Sequence, residues 1–558
     1  MLTYDKAFWE SVRTEEKYCA MRETLAELYD TYHEPIKILP YSEFKLFYET
    51  GDRSVYGATY FMKRKQLSVA AMMYLIYGEE KYRYRLEDVI WAICDEYTWS
   101  LPAHIKTDKL EEQTTFIDLF SSETAYSLAE IHALVGDKLA KIVCDRVKYE
   151  IDRRIIQPFL HTRCYWWEDA RNNWAAVCGC QVAGTFMYMA PELFPVIKAR
   201  IDAAMRCFLS GFGNDGACLE GVSYWIYGFG FFVQYQELQS TFDPDKLKIF
   251  QDQKIKNIAM FFQKVCLKDG IAVTFADSQP QALYSAPLMH YLKRIYGSMV
   301  KMPPAELALP LARTTKFSSL VRSFLYYNPE DNEKEQLACN CYFTDAQWFI
   351  RENAWYSFAA KGGCNAEPHN HNDVGSFLVC RYGRQVLCDI GVGVYTKDYF
   401  SDKRYTLLGN ASRGHSVPII NGKEQRCGDE YKARSVLQNG DTFRLDILGA
   451  YDEQGSLIRT FTTLDKSVCI TDSYQLEYQP TEVIERFVSF EKPQVEKGCI
   501  MWKGLCLKFD SEQLALTVSE EPYENNFIGK VTVYLLDLKV IKPFRKMKVI
   551  IKLIANEG

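Results

Sequence analysis

The 558-residue chain is short of several things, and each shortage narrows what it does. It has no basic excess. Lys and Arg number 66 against 72 Asp and Glu, for a formal net charge of −6. A dedicated nucleic-acid binder carries a basic stripe, so no nucleic-acid partner is expected, which still leaves room for a local basic cleft facing an anionic substrate. The first residues, MLTYDKAFWESVRTEEKY, are polar and hold no apolar signal core. A cytoplasmic protein is therefore expected, or a periplasmic or secreted one if a leader has been removed. The least charged stretch, 172–191, contains Asn, Gln, Thr and two Gly. It reads as a buried helix, not a membrane span, and no membrane partner is expected. Cys-x-x-Cys is missing. The 18 Cys are scattered, with Cys-x-Cys at 178/180 and 339/341. That argues against a zinc finger or disulfide framework and for reduced, buried thiols. Histidine is scarce, at eight residues.

Aromatics are abundant instead: 14% of the chain, including 37 Tyr and 10 Trp. Such residues either fill a core or stack on sugar rings. The length favours two large domains. Up to about residue 310 the pattern is helical. Apolar residues recur at three-to-four spacing in YDKAFWESVRTEEKYCAMRETLAELYDTY, and QLSVAAMMYLIYG ends in a Gly suited to a helix C-terminus. Paired helices joined by short turns predict stacked hairpins, which close naturally into an α/α toroid, although no sequence repeat is visible. The Pro-rich MPPAELALPLARTTK (302–316) marks the end of this part. From about 340, short β-rich runs alternate with turns, and Asn421-Gly422 is a hairpin signal. The expected architecture is multidomain α+β: a helical domain over 1–315, a linker over 316–340, and an antiparallel β-sandwich or layered sheet over 341–558.

Three stretches carry chemistry. In EPHNHNDVGSF (367–377), His369, His371 and Asp373 alternate, so on a strand they would share one face. His-x-His is a common way to present ligands to a metal. His415, in ASRGHSVPIING, and Asp389, ending QVLCDIG, complete a His371/Asp389/His415 set suited to Zn²⁺ or a similar ion. A metal site, an acid/base site and ordinary strand-end polarity all stand as readings. A two-residue turn at Gly383-Arg384 would pair Asp389 with Leu378, so the segment before Ser376 must curl back to close the site. In WWEDARNNWAAVCGC, Asn172-Asn173 precedes an apolar helix and reads as an N-cap or as an amide aimed at a carboxylate. In NDGACLEGVSYWIYGFGFF, Tyr224 and Tyr227 fall on one face of a helical turn and read as core or as functional groups.

Taken together, these pieces resemble the heparinase II/III-like polysaccharide lyases. The matching elements are Asn-Asn-Trp at 172–174, Asp-Gly…Glu-Gly-x-x-Tyr-x-x-Tyr-Gly at 215–228, His-x-His-x-Asp-x-Gly-Ser-Phe at 369–377, then Asp-x-Gly and Gly-His-Ser…Asn-Gly. The resemblance implies an incomplete α/α toroid followed by antiparallel sheets. It also implies β-elimination at a uronic acid, with products carrying a 4,5-unsaturated uronate. A base removes the C5 proton, the carboxylate is neutralised, and an acid protonates the leaving oxygen. On this resemblance Asn173 binds the carboxylate, Tyr224 is the acid and also a candidate base, and His369 is the catalytic imidazole. A second Tyr is Tyr399, with Tyr395 and Tyr405 as rivals. Asn172, Trp174, Glu220, Tyr227, Arg404 and Arg413 would contact substrate. His371, Asp389 and His415 would hold a structural divalent metal, Zn first and Mn or Ca next, leaving Asp373 to support them. Some relatives have His where Trp174 stands, which shifts the neutralising role towards Asn173 and His369. The implied partner is an acidic polysaccharide or oligosaccharide, with a homodimer as an open expectation. Glycosaminoglycan is favoured over alginate, because the Asn-Asn-His form is missing. The rivals are a metal-dependent hydrolase and a non-catalytic glycan-binding protein.

Overall fold

A computed structural model describes residues 1–311, 316–332 and 340–557. The expected domain boundary at 315 and Cys339 of the second Cys-x-Cys pair lie outside the described residues. The chain divides into two compact units. One comprises 1–211, 226–251 and 284–334; the other comprises 212–225, 252–283 and 335–558.

The first unit is helical. Its longest helix, Ser54–Tyr77, stops at Gly78, whose φ of 67° supplies the left-handed turn that the sequence predicts before Glu80–Cys94 begins. Leu119–Val135 starts at Asp118, whose side chain caps Phe120 and Ser121. The low-charge stretch forms the buried helix Asn173–Met189. Among the described residues, no helix is long and apolar enough to cross a membrane. The segment expected as a linker departs from expectation: it contains the helix Phe317–Leu325, with Phe317, Leu320, Val321 and Phe324 buried. Apolar spacing explains its helicity, and fully buried Arg322 pins it by donating to Glu130 (3.0 Å) and Glu237 (3.0 Å).

The second unit is built on antiparallel sheets. A five-stranded sheet runs Cys341–Phe343, Trp348–Glu352, Ser357–Lys361, Phe377–Arg381 and Arg384–Leu387 in spatial order. An eight-stranded and a four-stranded sheet lie with it around a core in which Phe358 and Phe377 each meet Phe461 at 5.4 Å, and Phe377 meets Phe487 at 6.0 Å. Ser467–Leu476 alternates buried and less buried residues almost without break, as a strand with one face inward must. Two pieces of the expected helical domain belong here. Asp215 accepts from the backbone of Asp345 and Ala346, and Trp225 donates to Ile258 O at 2.8 Å.

Two local expectations are corrected. The 367–377 stretch is not a strand: it is an irregular loop until Phe377, and His369 sits at φ 59°. The hairpin turn that follows is Tyr382-Gly383, both left-handed, not Gly383-Arg384, and the register places Arg381 opposite Arg384. A bulge between Val379 and Cys380 then sets Val379 opposite Leu387. The loop before Ser376 does curl back, tied by Gly375 N to Lys361 O at 2.9 Å. Gly375 (φ 85°) is needed there, because a Cβ would stand 2.6 Å from Ile447.

Candidate active site

The centre of the sheet unit's polar cluster is Asp277, a fully buried carboxylate that the sequence did not flag. Five side chains donate to it. Oδ2 accepts from His369 Nδ1 at 2.6 Å and Tyr395 OH at 3.3 Å. Oδ1 accepts from His371 Nε2 at 3.1 Å, from Arg404 Nη2 at 3.4 Å and from Tyr399 OH. Burial pushes the Asp277 carboxyl up, but the hydrogen bonds from His369 and His371 and the charge of Arg404 outweigh it and hold it well below the usual range. Because an ionised carboxylate only accepts, each imidazole must carry its proton on the nitrogen facing Asp277. Ala276, just before it, and His369 both adopt left-handed backbone, at φ 63° and 59°. Such conformations in non-glycine residues persist only where surrounding contacts impose them. Gly221 allows the Glu220 turn to approach the turn that carries Asp277, since a Cβ there would stand 1.9 Å from Ser278 Oγ.

Tyr224 ends the short helix Val222–Tyr224. Its ring stacks on His369 with centroids 4.1 Å apart and planes 24° apart, and its hydroxyl bonds Tyr395 OH at 2.9 Å. Burial, then the charge of Asp277, push the Tyr224 phenol well above its ordinary value. Glu220 brings Oε2 to 3.6 Å from His369 Nε2. Arg404 also donates to Asn370 O at 3.0 Å and lies over the Tyr399 ring at 4.4 Å.

The three rival tyrosines separate clearly. Tyr395 contacts Tyr224 directly. Tyr399 is fully buried, and its hydroxyl donates to Asp277 and accepts from Asn410 Nδ2 at 3.1 Å. Tyr405 donates to Asn370 Oδ1 at 2.7 Å. Arg413 is not gathered into the cluster: it pairs with Glu424 at 3.1 Å. Asn172, Asn173, Trp174 and Tyr227 belong to the helical unit. Asn172 is an N-cap, its Oδ1 accepting from Trp174 N at 3.1 Å. Asn173 is buried in the first turn, and Gly228 approaches it so closely that a Cβ would stand 3.1 Å from its Cα. Trp174 packs against Trp166 at 4.6 Å, and Trp166 is half exposed. Tyr227 lies under Lys316 Nζ, 4.7 Å from its ring centroid.

Beside this cluster four residues form a candidate cradle that could hold a cation. One ligand atom from each of His371, Asp373, Asp389 and His415 lies within 4.8 Å of every other, and all four residues are buried. His371 Nδ1, His415 Nδ1, Asp373 Oδ2 and Asp389 Oδ2 have no hydrogen-bond partner. The opposite edge of each ring is occupied: His371 Nε2 faces Asp277, and His415 Nε2 donates to Gly409 O at 3.0 Å. Metal-binding imidazoles are oriented in this way, by an acceptor on the far nitrogen. His415 Nδ1 and Asp389 Oδ2 are 3.5 Å apart, close to the ~3.3 Å edge of a tetrahedron with bonds near 2.0 Å. Asp373 adds a fourth donor to the three residues expected from sequence, while its Oδ1 accepts from buried Lys361 at 2.7 Å. Sequence reasoning missed Lys361 too.

No protein-family model matches the chain, and no curated protein does. Solved structures do. A mutant of the heparan sulfate lyase HepC from Pedobacter heparinus superposes with a TM-score of 0.63 at 13% identity, covering 100% of this chain and 86% of that one. A heparinase III gene product gives 0.64 at 11%, covering 100% and 85%. The fold is that of the heparinase-like polysaccharide lyases. Chondroitin AC lyase from Streptomyces coelicolor, in complex with chondroitin sulphate, shares this lyase fold at a TM-score of 0.59 and 9% identity, covering 99% and 82%. The α/α toroid followed by antiparallel sheets, expected from the motifs, is therefore the architecture. At such identities the likeness is one of fold, and the roles of individual residues rest on this chain's own geometry.

Proposed function

We propose that the protein is a polysaccharide lyase that cleaves uronic-acid-containing glycans by β-elimination. The observation that carries this reading is the stacked Tyr224–His369 pair, with His369 anchored on Asp277 through Nδ1 at 2.6 Å. That anchor turns the other edge, Nε2, towards Glu220 Oε2 at 3.6 Å, and Nε2 is assigned as the general base for the C5 proton. Tyr224 keeps its proton, because burial and Asp277 disfavour phenolate more than Arg404 favours it. It therefore serves as the acid that protonates the leaving oxygen, and the base role that a phenolate would have needed passes to His369. Tyr395, hydrogen-bonded to Tyr224, takes the second tyrosine role in place of Tyr399. Positive charge from Arg404 is assigned to the uronate carboxylate, whose neutralisation makes the C5 proton removable. The Trp166–Trp174 pair is assigned to stacking on a sugar ring.

His371, Asp373, Asp389 and His415 are assigned to a structural divalent ion, Zn first with Mn or Ca as alternates. Nitrogen and carboxylate donors in a four-point set suit Zn²⁺. When bound, the ion supplies rigidity to the loop that carries His369. Purified protein should contain a stoichiometric divalent ion by elemental analysis. At a free concentration of about 100 times its Kd, such an ion adds about 2.7 kcal/mol of stability. His415→Ala should thus lower the melting temperature and metal content more than it lowers kcat. Wild-type protein purified without metal and indifferent to chelator would remove the assignment.

The substrate class favoured is glycosaminoglycan, because Trp174 replaces the His of the Asn-Asn-His form. The test is a panel of heparan sulfate, chondroitin, hyaluronan and alginate, with their short oligomers, followed by ultraviolet absorbance. A conjugated 4,5-unsaturated uronate should accumulate. Reducing ends without that absorbance would identify a hydrolase, and neither signal would identify a binding protein.

A further inference from the structure

The cation cradle is made of loops, and loops do not hold donor atoms in place unaided. His415 and Asp373 sit on two separate loops, and each is followed within two residues by a backbone carbonyl, Ser416 O and Gly375 O. Both carbonyls accept from one side chain. Arg459, on the strand Gly455–Thr463, donates from Nη1 to Ser416 O at 2.8 Å and to Gly375 O at 3.0 Å. It is fully buried. The rest of its guanidinium is fixed to the sheet behind: Nε and Nη2 bind Asp472 at 2.9 and 2.7 Å, and Nη2 reaches Glu485 at 3.3 Å. Glu485 in turn accepts from Tyr474 OH at 2.5 Å. The donors of the planar fork are thus divided between a paired strand and the two loops that carry the ligands.

We propose that Arg459 is a positioning residue that locks the two ligand-bearing loops together and sets the affinity of the cradle for its metal. A buried charge set of this kind is a poor source of net stability, because desolvation offsets most of the attraction. Its geometry is what it contributes. A guanidinium reaches a carboxylate edge and two diverging carbonyls at once, which a lysine ammonium cannot do. Neither Arg459 nor its anchors touch the reacting groups, so the effect on chemistry passes through the loop that joins Asp373 to His369. This inference rests on the reading of His371, Asp373, Asp389 and His415 as metal ligands.

The test is Zn²⁺ affinity, measured on full-length protein by competition with a chromophoric chelator, alongside thermal melts with and without Zn²⁺. Arg459→Lys keeps the charge against Asp472 and loses the fork. It should weaken Zn²⁺ binding by about 10- to 100-fold, the range typical of groups that orient ligands, and should shrink the Zn²⁺-induced rise in melting temperature. In case the lysine variant does not fold, R459M/D472L removes the buried pair together and should show the same loss. A folded variant with wild-type Zn²⁺ affinity would overturn the proposal. So would failure of both variants to fold, since that marks Arg459 as a general core element. If wild-type protein binds no Zn²⁺, Mn²⁺ or Ca²⁺, the underlying metal reading fails instead, and the two outcomes are distinguishable.

Discussion

Tyr224→Phe should abolish nearly all turnover while leaving the protein folded. Removing a positioned general acid costs about 10² to 10⁴ in rate. The phenyl ring keeps its stack on His369, so the packing loss is small; what disappears is the hydroxyl hydrogen-bonded to Tyr395 at 2.9 Å. Circular dichroism and melting temperature should stay near wild type, and substrate binding should survive, because the loss falls on kcat. Retention of more than a tenth of wild-type activity would remove Tyr224 from the mechanism. Tyr395→Phe and Tyr399→Phe make useful partners. The first should cost rate through loss of the hydrogen bond to Tyr224. The second should act through Asp277, lowering stability as well as rate, because Tyr399 is buried with its hydroxyl satisfied on both sides.

Replacing Asp277 should have the second large effect, and it should divide into two parts. Asp277→Ala strips five donors of their acceptor at once, two of them imidazoles and one a largely buried guanidinium. Leaving a buried charge unpaired costs about 3–5 kcal/mol, so this variant should melt markedly lower and bind metal poorly, because His371 loses the group that orients it. Asp277→Asn is the sharper probe. The amide keeps the volume and one acceptor, so the fold should survive. It also presents an NH₂ group to one set of donors and no longer fixes the His369 tautomer. Turnover should fall by about 10² or more while near-native metal content is retained if the carbonyl faces His371. Full activity in the asparagine variant would show that the carboxylate does not act through His369.

Much of the fold was legible in the sequence because it depends on local periodicity. The helix ending at Gly78, the buried helix after Asn172 and the alternating strand 467–476 each follow from residues within one or two turns or pleats. The candidate metal-ligand set was partly legible for a different reason: His is scarce, so His-x-His and Gly-His-Ser stand out. Asp277 was not legible. It lies in TFADSQPQ with nothing beside it to mark it, and its partners are 92 or more residues away in sequence. Lys361 and Arg459 were hidden likewise, as single charged residues in apolar strands whose role appears only when separate loops are brought together. The loop conformation of 367–376 was misjudged because alternation of polar residues mimics a strand. The left-handed backbone at His369 breaks that alternation, turning His369 towards Tyr224 while His371 faces both Asp277 and the cradle. Asp373, expected only to support the ligands, contributes one oxygen to Lys361 and has the other free for the metal.

The central claim is that cleavage is an elimination and not a hydrolysis. Mass spectrometry of the products from a defined uronate oligosaccharide in ¹⁸O-labelled water tests it most directly. The account predicts that the fragment masses sum to the mass of the parent, with no label at the cleaved bond and an unsaturated uronate at one new end. Fragments that together exceed the parent by one labelled water would contradict it.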